Sequence, residues 1–326
     1  PGALPLVGLV DLVDRNGPAA CLALVHIRLA KNIAAMRAMA TVRALPACAG
    51  GGFRQSMDRM PARIDETFKT LRKEGKGAFI AYICAGDPDI ETSLEIVRSL
   101  EEAGADLIEL GLPFSDPVAD GVVIQNAAHR ALTAGTRTED VIKLIERIRE
   151  VSEIPLVLFT YLNPVYAYGF QDFHAAAAAA GADGVLILDL PPDEAMRNRE
   201  LQDAAGLEQI HLIAPTTPAE RIELITRDGG GFIYYVSREG VTGARASLQQ
   251  GIARKVELIR ASTPLPIVVG FGISTPEQAR EVSSMADGVV VGSAIVSILE
   301  KHGQDEDLAR RVHDFVKPLV EALKGV

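Results

Sequence analysis

One acidic residue, Glu109, interrupts the run Leu107-Ile108-Glu109-Leu110, whose other members suit a strand buried on both faces. Burial favours the protonated form of a carboxyl group, and each unit of upward pKa shift corresponds to about 1.4 kcal/mol. A strand glutamate without a partner therefore reads as a tuned general acid or base, and the competing reading is a buried ion pair. No lysine lies in any of the apolar runs, and the arginines cluster between them, which favours the acid–base reading. Two further carboxylates, Asp116 and Asp120, follow in a loop punctuated by Pro113, Pro117 and Gly121. Aspartate in such a loop is ordinarily turn chemistry, and only a shared rim with Glu109 makes a second catalytic carboxylate attractive.

A second set of residues suits an anion. Val269-Gly270-Phe271-Gly272-Ile273-Ser274 and Val291-Gly292-Ser293-Ala294 each end an apolar run in glycine. Without Cβ the backbone N–H groups can approach a phosphate, and a helix starting at Ser293 would add the positive end of its dipole. Glu239-Gly240-Val241-Thr242-Gly243 is a third glycine loop and a candidate lid. Other chemistries find little support. Lys69, Lys73, Lys76, Lys143, Lys255, Lys301, Lys317 and Lys324 all fall in predicted helices or loops, which argues against a Schiff-base mechanism. His129, His174, His211, His302 and His313 are isolated from one another in sequence, so no metal cluster is expected. Tyr161 and Tyr234 lie near predicted strand ends, and Asp189 is a third acidic candidate in a good turn sequence, Asp-Leu-Pro-Pro.

The elements that must position these groups recur with a regular period. Short Ile-, Val-, Leu-, Phe- and Tyr-rich runs alternate with helix-compatible stretches, the pattern of repeated βα units. Strands are predicted at 79–84, 106–111, 156–161, 184–189, 211–216, 232–237, 267–272 and 288–292. Three are preceded by a recurring element, Gly104-Ala105-Asp106, Gly181-Ala182-Asp183 and Ala286-Asp287, where glycine can close a helix. Eight such units predict a (β/α)8 TIM barrel over 57–326, with its site at the carboxyl ends of the strands. A doubly wound sheet is the alternative, but no GxGxxG follows the first strand and no linker divides the region.

The formal net charge of −10 opposes attraction to nucleic acid or anionic membrane. Cys21, Cys48 and Cys84 show neither disulfide nor zinc spacing, which suits a reducing cytoplasm. Residues 1–56 differ: there is no acidic residue between Arg15 and Gln55, and serine occurs only at Ser56. They match neither a serine-rich transit peptide nor a secretory signal. The expectation is a non-native or disordered extension, with Met57 or Met60 as the natural start.

From about Met57 onward the motifs together resemble the tryptophan synthase alpha subunit family. The matching words are AGDPD from Ala85, ELGLPFSDPVADGVVIQNA from Glu109, TYLNP from Thr160, SREGVTGAR from Ser237, GFGIS from Gly270 and GSAIV from Gly292. The resemblance implies retro-aldol cleavage of indole-3-glycerol phosphate to indole and glyceraldehyde 3-phosphate, with no cofactor in this subunit. It implies that Glu109 protonates indole C3 and takes the glycerol hydroxyl proton, that Asp120 meets the indole N–H, and that Tyr234 lies beside the reacting chain. It assigns Gly243, Gly272, Gly292 and Ser293 to the phosphate, and Ile124, Tyr161, Leu186, Thr242 and Phe271 to substrate binding. It also implies a pyridoxal-phosphate beta subunit as partner in an alpha2–beta2 assembly, facing the Pro113–Pro117 loop. A stand-alone indole-releasing lyase and a barrel acting mainly as activator of a beta subunit are the alternatives. Val122, where the family often has proline, implies a looser loop around Asp120, and Tyr82, Cys84 and Glu239 also depart from the pattern.

Overall fold

The recurring aspartate before a strand has a structural cause. In the computed structural model, which describes residues 63–325 except 228, 238–244 and 271, and the helix positions 192–194, 196–197 and 245–250 by backbone alone, each such aspartate clamps the start of a neighbouring strand. Asp106 Oδ2 accepts from the Phe79 N–H at 2.8 Å, Asp183 Oδ2 from Leu156 at 2.8 Å and Asp287 Oδ2 from Ile267 at 2.9 Å. The aspartate's own N–H returns a bond to the carbonyl of the same residue in all three cases. Each carboxylate also meets a cation: Lys324, Arg149 and Arg260 respectively. Gly104 and Gly181 before the first two have φ of +97° and +100°, the left-handed region glycine adopts without a Cβ clash.

The chain runs α1 (Arg63–Glu74), β1 (Ala78–Cys84), α2 (Ile90–Glu102), β2 (Leu107–Gly111), α3 (Val122–Thr133), α4 (Thr138–Arg149), β3 (Leu156–Thr160), α5 (Leu162–Tyr168), α6 (Phe170–Ala180) and β4 (Gly184–Ile187). It continues through α7 (Pro192–Ala205), β5 (Glu208–Gln209), β6 (His211–Ile213), α8 (Ala219–Arg227), β7 (Ile233–Val236), α9 (Arg245–Arg260), β8 (Ile267–Gly270), α10 (Pro276–Ser283), β9 (Gly288–Val291), α11 (Ser293–His302) and α12 (Leu308–Lys324). All strand pairs are parallel, in the order β5-β4-β3-β2-β1-β9-β8-β7-β6.

The two end strands are consecutive in the chain and separated by Ile210 alone, so the sheet closes on itself. β5 pairs with β4 and β6 with β7. The Ile210 N–H donates to the Val185 carbonyl at 3.1 Å, and the Gly230 N–H donates to the Gln209 carbonyl at 2.9 Å. β5 and β6 thus act as one interrupted strand, and the barrel has the eight predicted strand positions. This closure excludes the doubly wound sheet. The fifth strand starts three residues before the predicted 211–216 and ends at Ile213 rather than Thr216. Backbone pairing, not apolar character, recruits Glu208 and Gln209.

Period-two alternation sorts the strand residues into two cores. Ile80, Tyr82, Leu107, Val157, Leu186 and Val268 belong to one cluster, with Ile64, Phe68 and Leu71 of α1. Phe79, Ala81, Ile108, Leu158, Val185 and Val269 belong to the other, with apolar residues of α2, α4 and α12. The first cluster is the barrel interior and the second is the layer between strands and helices. Phe68 packs on Phe232 just before β7, with ring centroids 5.7 Å apart, so α1 covers the amino-terminal end. The opposite, carboxyl-terminal end carries the site.

Candidate active site

Leu107, Glu109 and Gly111 alternate with the outward-facing Ile108 and Leu110, so the strand period alone points Glu109 into the barrel. The residue is fully buried, and neither carboxylate oxygen has a hydrogen-bond partner. Burial pushes its carboxyl group up to about 8. The buried ion-pair reading is thus removed for Glu109, which is held as a neutral acid at neutral pH.

Two tyrosines share its surroundings. Tyr82 stands opposite Glu109 in the β1–β2 register, and Tyr234 projects from β7. Burial is the main cause raising both phenols above their ordinary range, with Glu109 contributing to each. Each ring leans over a glycine on the next strand of the barrel. A Cβ on Gly111 would stand 2.2 Å from the Tyr82 hydroxyl, and one on Gly270 would stand 2.4 Å from that of Tyr234. Phe159 of β3 meets Tyr82 edge-on at 5.1 Å. Leu186 is buried in the same cluster, and Ile124, Phe159, Leu188 and Tyr234 pack partly exposed against it. Of the sequence-predicted residues, Ile124, Leu186 and Tyr234 therefore share one wall, and Tyr82 and Phe159 join them.

Asp120 is positioned by a contact across 41 residues of sequence. The Tyr161 hydroxyl donates to Asp120 Oδ2 at 2.9 Å and accepts from the Ala119 N–H at 3.0 Å. The Tyr161 ring packs against Phe114 at 5.2 Å. Within the loop, the Asp120 N–H donates to the Pro117 carbonyl at 3.1 Å, and Gln125 Nε2 donates to the Asp120 carbonyl at 3.0 Å. The resemblance implies a looser loop because of Val122. In the structure Val122 is the first residue of α3 after the N-cap Gly121, and Tyr161 and Gln125 bond the loop with no proline at position 122.

The two candidate phosphate turns differ. After β8, α10 has a complete capping box in which Thr275 and Gln278 satisfy each other's backbone N–H groups, so this helix start is already occupied. Gly272 precedes it with φ +61° and open space around it. After β9, the N-cap of α11 is Gly292 and no side chain caps the helix, which begins at Ser293. Its first N–H groups, at the carboxyl end of the last strand, have no side-chain cap and form the positive end of the helix dipole. Gly292 also lies on Tyr82, where a Cβ would stand 3.2 Å from the tyrosine Cβ. Thr242, Gly243, Phe271 and Glu239 lie outside the described residues.

Two groups take other parts. Asp189 accepts from the Leu162 N–H at 2.6 Å, a long-range bond that ties its loop to the first residue of α5. Asp87, with no side-chain exposure, forms a two-point ion pair with Arg130 at 2.8 Å, tying the β1–α2 loop to α3. Sequence reasoning named Tyr82 only as a departure and missed Phe159. Period-two alternation within β1 and within β3, which puts Tyr82 with Ile80 and Phe159 with Val157, was the signal for both. The Tyr161–Asp120 bond had none, because nothing local marks it.

A closed parallel barrel with an unpartnered buried acid among aromatic walls, and an uncapped helix start after its last strand, defines the class: a (β/α)8 barrel with its candidate site at the carboxyl-end face. The profile described as "Tryptophan synthase alpha chain" matches residues 68–324. The chain is 48% identical over 265 residues to the tryptophan synthase alpha chain of Geobacter sp. (strain M21), covering 81% of this chain and 99% of that one. It is 49% identical over 265 residues to that of Geotalea uraniireducens (strain Rf4), with the same coverage. Among solved structures, tryptophan synthase subunit alpha from Legionella pneumophila superposes with a TM-score of 0.75 at 37% identity, covering 81% of this chain and 99% of that one. Tryptophan synthase from M. tuberculosis gives a TM-score of 0.73 at 32% identity, covering 80% of this chain and 98% of that one. The chain belongs to the tryptophan synthase alpha chain family, and so to the barrel lyases of tryptophan biosynthesis.

Proposed function

We propose that this chain cleaves indole-3-glycerol phosphate to indole and glyceraldehyde 3-phosphate by carboxylate acid–base catalysis, with no cofactor of its own. The observation that carries the reading is Glu109: buried, unpartnered and raised to about 8, it rests protonated at neutral pH. It gives its proton to C3 of the indole ring, which makes an indolenine with positive charge on its nitrogen. The resulting carboxylate takes the proton of the glycerol hydroxyl. The carbon–carbon bond then breaks, its electron pair returns to the ring, and the hydroxyl carbon becomes an aldehyde. Glu109 ends protonated as it began, so no proton is lost or gained overall.

Asp120, steadied by the Tyr161 hydroxyl and the loop bonds, faces the indole N–H and stabilises the charge that develops there. The phosphate sits at the uncapped start of α11, on Gly292 and Ser293, with Gly272 beside it and Gly243 from the lid loop. Ile124, Leu186 and the Tyr161 ring hold the indole together with Phe271 and Thr242, and Tyr234 lies beside the reacting side chain. The partner is a pyridoxal-phosphate beta subunit in an alpha2–beta2 assembly in the cytoplasm. Among the described residues no helix is long and apolar enough to cross a membrane.

The test is indole release from indole-3-glycerol phosphate by the purified chain, alone and with a beta subunit, beside Glu109→Gln and Asp120→Asn. Removal of a positioned acid or base typically costs about 10²–10⁴-fold, and each variant is expected to fall by at least the lower figure while remaining folded. Unchanged release in Glu109→Gln would overturn the mechanism.

A further inference from the structure

Behind the interrupted fifth strand, on the outer side of the barrel wall, buried amide groups meet in a small, partly enclosed space. Gln202 and Asn198 of α7 are 0% and 2% exposed and Gln209 of β5 is 7% exposed; all three line this space with Val185 and Ile187 of β4. Neither Nε2 nor Oε1 of Gln202 has a hydrogen-bond partner, and Asn198 Nδ2 and Gln209 Oε1 also lack one. The remaining Asn198 atom is engaged, because its Oδ1 lies 2.9 Å from His174 Nε2 of α6, which fixes the direction of the amide.

The unmet groups are two amide donors and two amide acceptors. Water offers the complement, two lone pairs and two hydrogens. The space open to the centre of a water molecule is about 10 Å³, close to the smallest volume that holds one water, roughly 10–15 Å³. It therefore excludes any larger ligand. We propose that this chamber is an internal hydration site, in which one water bridges Gln202, Gln209 and Asn198 and joins α7 to the barrel at its interrupted strand. Leaving such groups unpartnered carries their full desolvation penalty, which is why buried polar cavities of this kind are wet.

Crystallography of the full chain at a resolution that shows ordered solvent tests this directly. The expected result is one well-ordered water with at least three of these amide atoms at hydrogen-bond distance. Amides turned to bond each other around an empty space would overturn the proposal. In solution, water relaxation dispersion should lose the contribution of one long-lived water in Gln202→Met, and its melting temperature should fall by about 3–10 °C as Gln209 and Asn198 lose their bridge. A lowered melting temperature with unchanged dispersion would equally overturn it. Should Gln202→Met fail to fold, the density in the unsubstituted chain decides alone.

Discussion

At the scale of the residue, what distinguishes Glu109 is that its environment supplies nothing for a negative charge. The desolvation that raises its carboxyl group to about 8 makes it a competent donor at neutral pH and ties its titration to the stability of the fold. The unfolded group ionises near its ordinary value of 4.5 and the folded group near 8, so between these the folded chain holds a proton that the unfolded chain releases. Stability is therefore highest below that window and falls as pH rises through it, by on the order of a few kcal/mol for one such group. Glu109→Gln removes the titration, so its melting temperature should rise relative to the unsubstituted chain by several degrees between pH 5 and pH 8. Parallel melting profiles would show that Glu109 does not titrate as a buried acid. The same proton predicts that kcat/KM for indole release falls above about pH 8, where Glu109 ionises in the free enzyme. Tyr161→Phe tests the other carboxylate: it deletes the donor to Asp120 and the acceptor for the Ala119 N–H, and kcat/KM should drop about tenfold or more with the barrel intact by circular dichroism.

Elements decide where such residues can stand. Seven of the eight predicted strands are recovered to within two residues at each end because their apolar runs coincide with backbone pairing. The fifth was only half legible: Glu208 and Gln209 carry no apolar signal, and the sheet alone makes them strand. Glu109 was legible because an acid in an apolar run is a local anomaly, and the glycines ending β8 and β9 because they were paired. What stayed hidden is non-local. The Tyr161–Asp120 bond, the Asp87–Arg130 pair and the resting of Tyr82 and Tyr234 on Gly111 and Gly270 all need the barrel to close before they exist. Gly111 and Gly270 are therefore spacers that leave room for the two tyrosine rings. In Gly270→Ala the new methyl would come within 2.4 Å of the Tyr234 hydroxyl and 2.6 Å of its ring, so the ring must move. Overpacking of this kind costs about 1–3 kcal/mol. Indole release should fall at least tenfold while melting shifts by only a few degrees. Full activity in this variant would show that the position of Tyr234 is immaterial to the reaction.

The whole molecule adds a constraint that neither scale contains. A barrel that releases a small apolar product gains by delivering it to a second protein, and the β2–α3 loop that carries Asp120 also bears apolar surface on its outer side. Val118 and Val122 are 83% and 69% exposed, the two most exposed large apolar side chains among the described residues. Two apolar side chains a few residues apart, one on the loop and one at the start of α3, suit the rim of a protein interface better than open water. Because the loop is fixed internally through Tyr161 and Gln125, a contact made by Val118 can pull on Asp120 without any other element moving. Replacing Val118 with aspartate should leave indole release by the isolated chain within about twofold, since its side chain is exposed to solvent. In a titration with the beta subunit, the same variant should bind about tenfold more weakly, the cost of setting a charge in an apolar contact. It should also lose most of the stimulation that the partner confers. Unaltered affinity would place the docking surface elsewhere on the barrel.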